Sequence, residues 1–321
     1  MSGAGERYLV TGGAGFIGSH IVEALARRGE RVVVLDDFST GRRQNLDAVV
    51  RALPAGAPKP EVIQGDIRDP ETVRRAMSGI SHVLHQAALP SVQRSVEDPM
   101  SSHQVNASGT LNLLVAARDA GARRFVYASS SSAYGDNPQL PKVESMTPAP
   151  LSPYAVSKLA GEYYCRIFHS LYGLETVSLR YFNVFGPRQD PTSQYAAVVP
   201  NFVTAAISAR PPTIHGDGLQ SRDFTYIDNA VDANLKACEA PSGAAGGAYN
   251  VACGSAATLL DLLKILEQVT GSVIRTVHDA PRPGDVRHSL ASIDAARRDL
   301  GYEPQVGLEE GLRRTVAWTR A

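Results

Sequence analysis

The stretch RYLVTGGAGFIGSH, residues 7–20, decides the fold. Its first part, RYLVT, is a short run of apolar and β-branched residues, which predicts a buried strand. Four glycines follow, Gly12, Gly13, Gly15 and Gly18, and they satisfy both GxGxxG and GxxGxxG, a spacing that allows a tight turn into a helix predicted over residues 16–28. A strand, a glycine turn and a helix in this order are typical of a unit that binds a dinucleotide, with the pyrophosphate at the helix N-terminus.

A glycine turn alone is a weak signal, because it also occurs as a purely structural turn. Here a second strand, VVVLD, ends at Asp36. A carboxylate at that place hydrogen-bonds the adenosine ribose and repels a 2′-phosphate, which favours NAD over NADP. Arg42 and Arg43 follow closely, so NADP remains an alternative at this stage.

The alternation continues along the first half of the chain and predicts a fold of the α/β class. Short apolar runs alternate with long helical patterns, as in a Rossmann-type doubly wound parallel sheet. After about residue 183 the pattern loosens into shorter elements between proline-rich turns. We therefore expect a nucleotide-binding domain over residues 1–182 and a smaller C-terminal α/β substrate lobe over residues 183–321, with a strand at about 247–252 returning to the first domain.

Composition excludes several classes of function. The 321 residues carry a formal net charge of zero with a pI of about 7.1, which argues against a nucleic-acid or anionic-membrane partner. The three cysteines lack CxxC spacing and fit a reducing compartment. There is neither a signal-peptide pattern nor an apolar run of the roughly 18 residues that a membrane span needs. We expect a cytoplasmic protein.

Tyr154 and Lys158 lie four residues apart in SPYAVSKLAGEYY, just after a proline that favours a helix start. That spacing places both side chains on one helix face. An ammonium beside a phenol stabilises the phenolate, so the pair predicts a general base that works near neutral pH. An exposed helical pair without a role is the alternative. The glycine turn upstream and the serine run SSSS at 129–132 favour catalysis.

His82 and His85 form an HxxH pattern, but residues three apart on a strand point to opposite faces. A shared metal site is therefore not expected.

Taken together, these features resemble the extended short-chain dehydrogenase/reductase superfamily over nearly the whole chain. The chain is similar in particular to nucleotide-sugar 4-epimerases, and within them to the bacterial branch that interconverts UDP-N-acetylglucosamine (UDP-GlcNAc) and UDP-N-acetylgalactosamine (UDP-GalNAc). The segments that carry the resemblance are GDIRD (65–69), HQAALPSVQRSVEDP (85–99), VNASGTLNLL (105–114), LSPYAVSK (151–158), RYFNVFGPRQDP (180–191), GDGLQSRDFTYIDN (216–229) and RPGDVRHS (282–289).

The resemblance implies site residues by position. Ser130, Tyr154 and Lys158 would be catalytic. The residues that would bind NAD are Gly12, Gly15, Phe16, Ile17, Gly18, Asp36, Asp37, Phe38, Ser39, Thr40, Gly41, Asp66, Ile67, Gln86, Ala87, Ala88, Asn106 and Tyr181. Those that would contact the UDP-sugar are Ser91, Ser130, Ser132, Tyr154, Asn183, Ala197, Val198, His215, Arg222, Arg282, Asp285 and Ser289. A homodimer is implied as well, because the family pairs the helices equivalent to those near 100–119 and 153–172.

Sister chemistries of the family need carboxylates that this chain lacks. A dehydratase carries an Asp-Glu pair directly after its catalytic hydroxyl residue, and a decarboxylase carries a Glu at the position of Ser132. Here Ser131 and Ser132 stand at those positions, and a hydroxyl cannot replace a carboxylate as acid or base near pH 7. Epimerisation through a 4-keto sugar is the chemistry that remains.

The identity of the sugar depends on Ser289. In epimerases restricted to UDP-glucose and UDP-galactose, a tyrosine occupies the matching position, and a small residue leaves room for an N-acetyl group. We therefore expect UDP-GlcNAc/UDP-GalNAc, with UDP-glucose/UDP-galactose as further substrates. UDP-glucuronate and UDP-N-acetylhexosaminuronate remain alternatives, as does a Ser289 that simply faces solvent. Two rivals differ in kind: a non-catalytic NAD-binding regulator and a ketoreductase with net hydride transfer.

Overall fold

The computed structural model describes residues 6–191, 198–280 and 286–321. Three residues expected to contact the UDP-sugar, Ala197, Arg282 and Asp285, lie outside these ranges. Thirteen strands occur in the described ranges: β1 (Arg7–Thr11), β2 (Arg31–Asp36), β3 (Glu61–Gln64), β4 (His82–His85), β5 (Arg124–Ser130), β6 (Glu175–Tyr181), β7 (Val184–Phe185), β8 (Thr213–His215), β9 (Ser221–Arg222), β10 (Thr225–Tyr226), β11 (Ala248–Val251), β12 (Ala257–Thr258) and β13 (Val277–Asp279).

Twelve α-helices accompany them in the same ranges. They are α1 (Phe16–Arg27), α2 (Arg43–Ala52), α3 (Pro70–Ala76), α4 (Val92–Glu97), α5 (Pro99–His103), α6 (Gly109–Asp119), α7 (Pro153–Tyr172), α8 (Val198–Ile207), α9 (Ile227–Glu239), α10 (Leu259–Thr270), α11 (Asp294–Leu300) and α12 (Leu308–Arg320). None of the helices in the described part of the chain is both long and apolar enough to cross a membrane.

Seven strands form one parallel sheet in the order β11-β6-β5-β4-β1-β2-β3. β2 is buried at every position after its first residue, as expected of a strand covered on both faces. Two apolar cores, one on each side, fill the spaces between the sheet and its helices. The predicted doubly wound parallel sheet is confirmed. β11 pairs in parallel with β6, so the chain returns to the sheet edge after residue 183.

The remaining strands form three short pairs that precede or follow β11 in the chain. β10 pairs with β7 and β13 with β8, both in parallel, while β12 pairs antiparallel with β9. Such short elements separated by loops are what the proline-rich turns predicted. The domain boundary near residue 183 remains a prediction.

Local sequence signals determine where several helices begin and end. The side chain of Ser152 accepts a hydrogen bond from the Ala155 N–H at the start of α7, Pro153 takes the first helical position, and Gly173 ends the helix with a φ of 72°. α7 has the bounds that the sequence predicted. The helix predicted near 100–119 is instead three segments, because α5 and α6 are joined by a π-helical turn over Gln104–Ser108. The sequence reading missed α2.

Candidate active site

The candidate residues meet at one edge of the sheet because all seven strands are parallel. β1 ends before the glycine turn, β2 ends at Asp36, β5 ends at Ser130 and β6 ends at Tyr181. In parallel α/β sheets, ligands bind at this carboxyl edge. The topology therefore brings together most of the residues expected to bind a nucleotide and those expected to catalyse the reaction.

The glycine turn packs too closely to admit side chains. Gly12 has a φ of +69°, and a Cβ there would lie 2.7 Å from the backbone nitrogen of Ala87. A Cβ on Gly18 would lie 2.1 Å from the carbonyl oxygen of Gly12. Gly12 is required for its positive φ and for the close contact, whereas Gly18 is required for the close contact alone. The first turn of α1 is thereby held directly against the loop.

The N-terminus of α1 fits a phosphate group. Its N-cap, Gly15, offers no side chain to the free N–H groups, and no acidic residue lies in the first turn. Unsatisfied N–H groups and the helix dipole favour an anion at such a place. Phe16 and Ile17 occupy that first turn and are half-buried. The arrangement is what a dinucleotide pyrophosphate requires.

Asp36 is buried and pinned by the backbone. Its carboxylate accepts hydrogen bonds from the Ala14 N–H at 2.9 Å and from the Phe38 N–H at 2.8 Å. Burial raises the pKa of Asp36 in spite of these two bonds. A Cβ on Gly41 would lie 2.8 Å from the Asp36 carboxylate, so the loop closes tightly around it. In the same loop Asp37 accepts from the N–H and hydroxyl of Ser39, and Thr40 is exposed.

The two arginines that left NADP open are engaged elsewhere. Arg42 forms an ion pair with Asp190 at 2.5 Å. The Arg43 guanidinium lies 4.2 Å from the centre of the Phe38 ring and donates to Gln64. Their charges are therefore committed to other partners, and the site favours NAD.

After β3 and β4, the remaining nucleotide candidates lie at the same edge. Asp66 forms an ion pair with Arg68, whose hydrogen bond lowers the pKa of that carboxyl. Ile67 is buried, and a Cβ on Gly109 would lie 2.6 Å from its Cδ1. The Ala87 N–H donates to the Thr11 hydroxyl at 3.3 Å, and Ala88 is half-buried.

Gln86 and Tyr181 bond to each other and to a residue that sequence reasoning missed. The Tyr181 hydroxyl lies 3.2 Å from the Gln86 Oε1 and within hydrogen-bonding distance of Asn234 on α9. Gln86 also donates to the Asn234 Oδ1 at 3.0 Å. No local pattern marks Asn234, because its partners are far away in the sequence.

Asn106 lies in the π-helical turn and joins two parts of the site. Its Oδ1 accepts from the Leu89 N–H at 2.8 Å, and its amide donates to the Leu89 carbonyl and to the Ser157 hydroxyl. Ser157 directly precedes Lys158 on α7. The π-helical turn, a feature often found at functional sites, thus ties the loop after β4 to the helix that carries the Tyr-Lys pair.

Ser130 faces Tyr154 and is held by Ser132. Its hydroxyl oxygen accepts bonds from the Ser132 N–H at 3.2 Å and from the Ser132 hydroxyl at 2.9 Å. A hydrogen bond with Ser130 acts on the Tyr154 phenol. The first serine of the run, Ser129, is buried and donates instead to Glu162. The serine run is therefore an ordered structure, with Ser130 and Ser129 bonded to different parts of the molecule.

Lys158 is 4% exposed, and its ammonium donates to the Ala128 carbonyl at 2.8 Å. Burial lowers the pKa of Lys158 to about 7. Burial also raises the pKa of Tyr154, and the smaller effect of its bond with Ser130 does not reverse that. The lowering of the Tyr154 pKa by Lys158 together with a positive nicotinamide ring stays a prediction. A phenolate here needs a further positive charge nearby.

Two of the substrate candidates, Arg222 and Ser289, lie together at β9. The Ser289 N–H donates to the Ser221 carbonyl at 3.0 Å, which places Ser289 next to Arg222. Arg222 donates to the carbonyls of Ser221 and Arg287. His215 contacts the Ala280 carbonyl at 3.2 Å through Nδ1. Ser91 caps α4 by accepting from the Arg94 N–H, and Val198 begins α8.

Asp223 was missed by sequence reasoning although it adjoins Arg222. Its carboxylate is fully buried and accepts from the N–H groups of Cys253, Gly254 and Ala291 at 2.9, 3.1 and 3.3 Å. Its own carbonyl accepts from the Asn183 side-chain amide at 3.0 Å. Burial raises the pKa of Asp223 to about 6. The carboxylate joins the turn after β11 to the segment that carries Ser289, and the backbone carbonyl adds the turn after β6.

His82 and His85 point to separate environments. His82 stacks on Tyr8 with ring centres 4.9 Å apart, whereas His85 is buried between the hydroxyls of Thr11 and Thr110. Within the ranges described, no group of three or more His, Cys, Asp or Glu side chains could hold a metal ion.

Comparisons with known proteins agree with this geometry. A family model described as "NAD dependent epimerase/dehydratase family" matches residues 8–252. The UDP-glucose 4-epimerase of Mycolicibacterium smegmatis is 40% identical over 318 residues, and the alignment covers 98% of each chain.

Two solved structures extend the likeness. A UDP-N-acetylglucosamine 4-epimerase from Methanobrevibacter ruminantium, in complex with UDP-N-acetylmuramic acid, superposes with a TM-score of 0.91 at 39% identity, covering 98% of both chains. A UDP-glucuronic acid 4-epimerase from Bacillus cereus, in complex with UDP-glucuronic acid and NAD, gives a TM-score of 0.89 at 32% identity, covering 98% of this chain and 99% of that one.

Proposed function

Because the chain belongs to the NAD dependent epimerase/dehydratase family, we propose that it is an isomerase that inverts C4 of a UDP-sugar reversibly. We propose UDP-GlcNAc and UDP-GalNAc as its preferred pair, with UDP-glucose and UDP-galactose as further substrates. The observation that carries the proposal is the meeting of Ser130, Tyr154 and Lys158 at the carboxyl edge, beside a glycine turn fitted to a dinucleotide and without a carboxylate at residues 131 and 132.

In this reaction Tyr154 takes the proton from the 4-hydroxyl of the sugar and later returns it. Ser130, held by Ser132, bonds the same oxygen and orients it. A dinucleotide held by the glycine turn and Asp36 would supply the hydride acceptor for C4, and its positive ring would favour the Tyr154 phenolate that burial disfavours. Lys158 adds charge next to the phenol when protonated, and its pKa of about 7 lets it exchange a proton near neutral pH.

The chain's residues also account for an inverted product. The diphosphate is expected at Arg222, since a guanidinium suits pyrophosphate oxygens, and Asn183 adjoins it through Asp223. With the diphosphate held there, the 4-keto sugar turns about its tether and presents its other face. Tyr154 then returns the proton to the 4-oxygen, and the hydride held by the bound dinucleotide would return to C4, so the net reaction consumes no reductant.

The choice of sugar rests on Ser289. Its side chain is small and half-buried, and it lies next to the strand of Arg222. Space at that place would accommodate a C2 acetamido group. The experiment compares turnover of UDP-GlcNAc, UDP-GalNAc, UDP-glucose and UDP-galactose by wild type and Ser289→Tyr. We expect wild type to use the acetylated pair at least as well as the other, and Ser289→Tyr to lose the acetylated pair selectively. Turnover of the non-acetylated pair alone by wild type would refute the assignment.

A uronic acid is the second candidate, favoured by the likeness to the Bacillus cereus UDP-glucuronic acid 4-epimerase. UDP-glucuronate and a UDP-N-acetylhexosaminuronate therefore belong in the same assay. Faster turnover of either would replace the acetamido hexose as the preferred substrate while leaving 4-epimerisation intact.

We further propose that the protein forms a homodimer through α4, α5 and α7. These helices expose apolar side chains on their outer faces, namely Val92, Val96, Met100, Val156, Tyr163, Ile167 and Leu171. An exposed apolar face of this kind marks an interaction surface, and a second copy offers the same surface in return. Light scattering after size exclusion should give twice the chain mass, and Ile167→Glu should give a monomer. A monomeric wild type would refute the dimer.

A cytoplasmic location is proposed because all three cysteines are free.

A further inference from the structure

A buried ion pair links β6 to α7 directly behind the proposed catalytic serine. Glu162 follows Lys158 by one turn of α7, and its Oε1 accepts from the Ser129 hydroxyl. The Arg180 Nε donates to the same oxygen at 2.9 Å, and the Arg180 Nη2 donates to Oε2 at 2.7 Å. Both charged side chains are 5% exposed.

This pair connects the three elements from which the reaction is proposed to be built. Ser129 precedes Ser130 at the end of β5, and in the sheet register it lies opposite Arg180 of β6. Glu162 shares α7 with Tyr154 and Lys158. The Glu162 carboxylate therefore hydrogen-bonds one residue on each strand and links both strands to α7. The bonds are directional, so they set the height and rotation of α7 relative to Ser130.

The network reaches the segment of the substrate candidates as well. The Arg180 guanidinium lies 4.7 Å from the centre of the Tyr134 ring, and the Tyr134 hydroxyl donates to the Asn250 Oδ1 at 2.7 Å. The Asn250 amide donates at 3.0 Å to the carbonyls of Lys142 and Ser292. Ser292 lies close in sequence to Ser289.

Stability alone does not account for two charges at this place. A buried ion pair loses solvation on both partners, and apolar residues of similar volume often serve folding as well or better. A pair with two parallel donor bonds offers fixed geometry instead. Misplacing a catalytic group by about 1 Å can cost on the order of 100-fold in rate.

We propose that Glu162 and Arg180 are positioning residues for the proposed epimerisation, holding Tyr154 and Lys158 at their working distance from Ser130. The inference rests on the proposed roles of those three residues. Glu162 and Arg180 act through Ser129 and α7 and do not themselves contact the substrate.

The test uses purified holoenzyme and separates position from stability. Glu162→Gln and Arg180→Met should each lower kcat by about 10- to 100-fold, with KM and the NAD content per chain unchanged. The double variant Glu162→Met/Arg180→Met removes both charges together, so its Tm should recover towards wild type while its kcat stays low. A double variant whose kcat recovers together with its Tm would show that the pair is merely structural.

A matched control lies at the other end of the same two strands. Arg124 of β5 and Glu175 of β6 form an ion pair at 2.9 Å, with the arginine 1% exposed. Arg124→Met should lower Tm but leave kcat unchanged for folded, NAD-loaded protein. Equal losses of kcat in Arg124→Met and Arg180→Met would overturn the proposal. Wild type inactive on every UDP-sugar would instead overturn the proposed function on which the inference rests.

Discussion

Arg124 and Arg180 form ion pairs at the two opposite edges of the same sheet. At the amino edge, the Arg124 guanidinium donates to Glu175 and to the carbonyls of Ala237 and Ala240 at the end of α9. These are bonds to a carboxylate and to a helix C-terminus, and they join elements of the scaffold. At the carboxyl edge, Arg180 pairs with Glu162 next to the serine run. Similar chemistry therefore stabilises the scaffold at one edge and orders the candidate active site at the other.

The difference follows from strand direction. In a parallel sheet every strand leaves its last residue, and the turn after it, at the carboxyl edge. Side chains from distant parts of the sequence therefore converge there, and substitutions at that edge should affect turnover or cofactor retention. Substitutions at the amino edge should affect stability alone.

The largest effect is expected from Tyr154→Phe. Removing the phenolic hydroxyl deletes the proposed base, and kcat should fall by about 100- to 10,000-fold. Tm and NAD content should remain close to wild type, since the ring stays in place. The assay is UDP-sugar interconversion followed by HPLC. Appreciable residual turnover would show that another group acts as base.

Gly18→Ala tests the nucleotide side of the same edge. The added Cβ would lie 2.1 Å from the Gly12 carbonyl oxygen, so α1 must move away from the glycine turn. The purified variant should contain less than about a tenth of the wild-type NAD, read from the absorbance of released cofactor.

Gly29→Ala is the matched control for that prediction. Gly29 follows α1 at the opposite end with a φ of +83°, and a Cβ there would meet nothing within 4 Å. Strain should lower stability by about 1 kcal/mol while NAD is retained. Full NAD content in Gly18→Ala would contradict the account of the turn.

Ser130→Ala and Ser129→Ala separate two neighbours with different partners. Ser130 bonds Tyr154 and Ser132, so its loss should reduce kcat by about 100-fold. Ser129 acts through Glu162, which keeps its two bonds to Arg180, so its loss should cost less than about 10-fold. A larger loss in Ser129→Ala would place the catalytic hydroxyl one residue earlier.

The smallest effects are opposite pH dependences of stability. Bonds from Ser242 and Arg124 lower the pKa of Glu175, so its contribution is present above its unfolded pKa of about 4.5 and is lost as pH falls through the lower folded value. Burial raises the pKa of Asp223 to about 6, so the folded protein takes up its proton first and gains stability as pH falls from 6 towards 4.

Chemical denaturation at several pH values compares wild type with Glu175→Gln and Asp223→Asn. Between pH 7 and pH 4.5, the free energy of unfolding of wild type should rise by about 1–3 kcal/mol relative to that of Asp223→Asn. Relative to Glu175→Gln, the free energy of unfolding of wild type should instead fall by up to about 1 kcal/mol as the pH falls below 4.5. Parallel pH curves for wild type and Asp223→Asn would contradict the assignment for Asp223.

The sequence predicted local structure best where a short spacing between residues determines it. The glycine turn, Asp36 and the Tyr154–Lys158 pair each carry a spacing that reports local geometry, and the bounds of α7 follow from Ser152, Pro153 and Gly173. The resemblance then supplied the roles of residues scattered along the later segments. Those roles remain predictions that the variants above test.

The residues that sequence reasoning missed have partners that only the fold brings near. Glu162 meets Arg180, Asp223 meets Cys253 and Ala291, and Asn234 meets Gln86. None has a local pattern, since an isolated carboxylate or amide reads as a surface residue.

One measurement tests the central claim most directly. Purified wild-type protein is mixed with UDP-GlcNAc, without added cofactor, and followed by proton NMR. We expect the anomeric signal of UDP-GalNAc to grow to a stable ratio while total sugar is conserved, and the same ratio to be reached from UDP-GalNAc. No interconversion of this or any other UDP-sugar by NAD-loaded protein, or interconversion only with stoichiometric consumption of added NAD, would contradict the account.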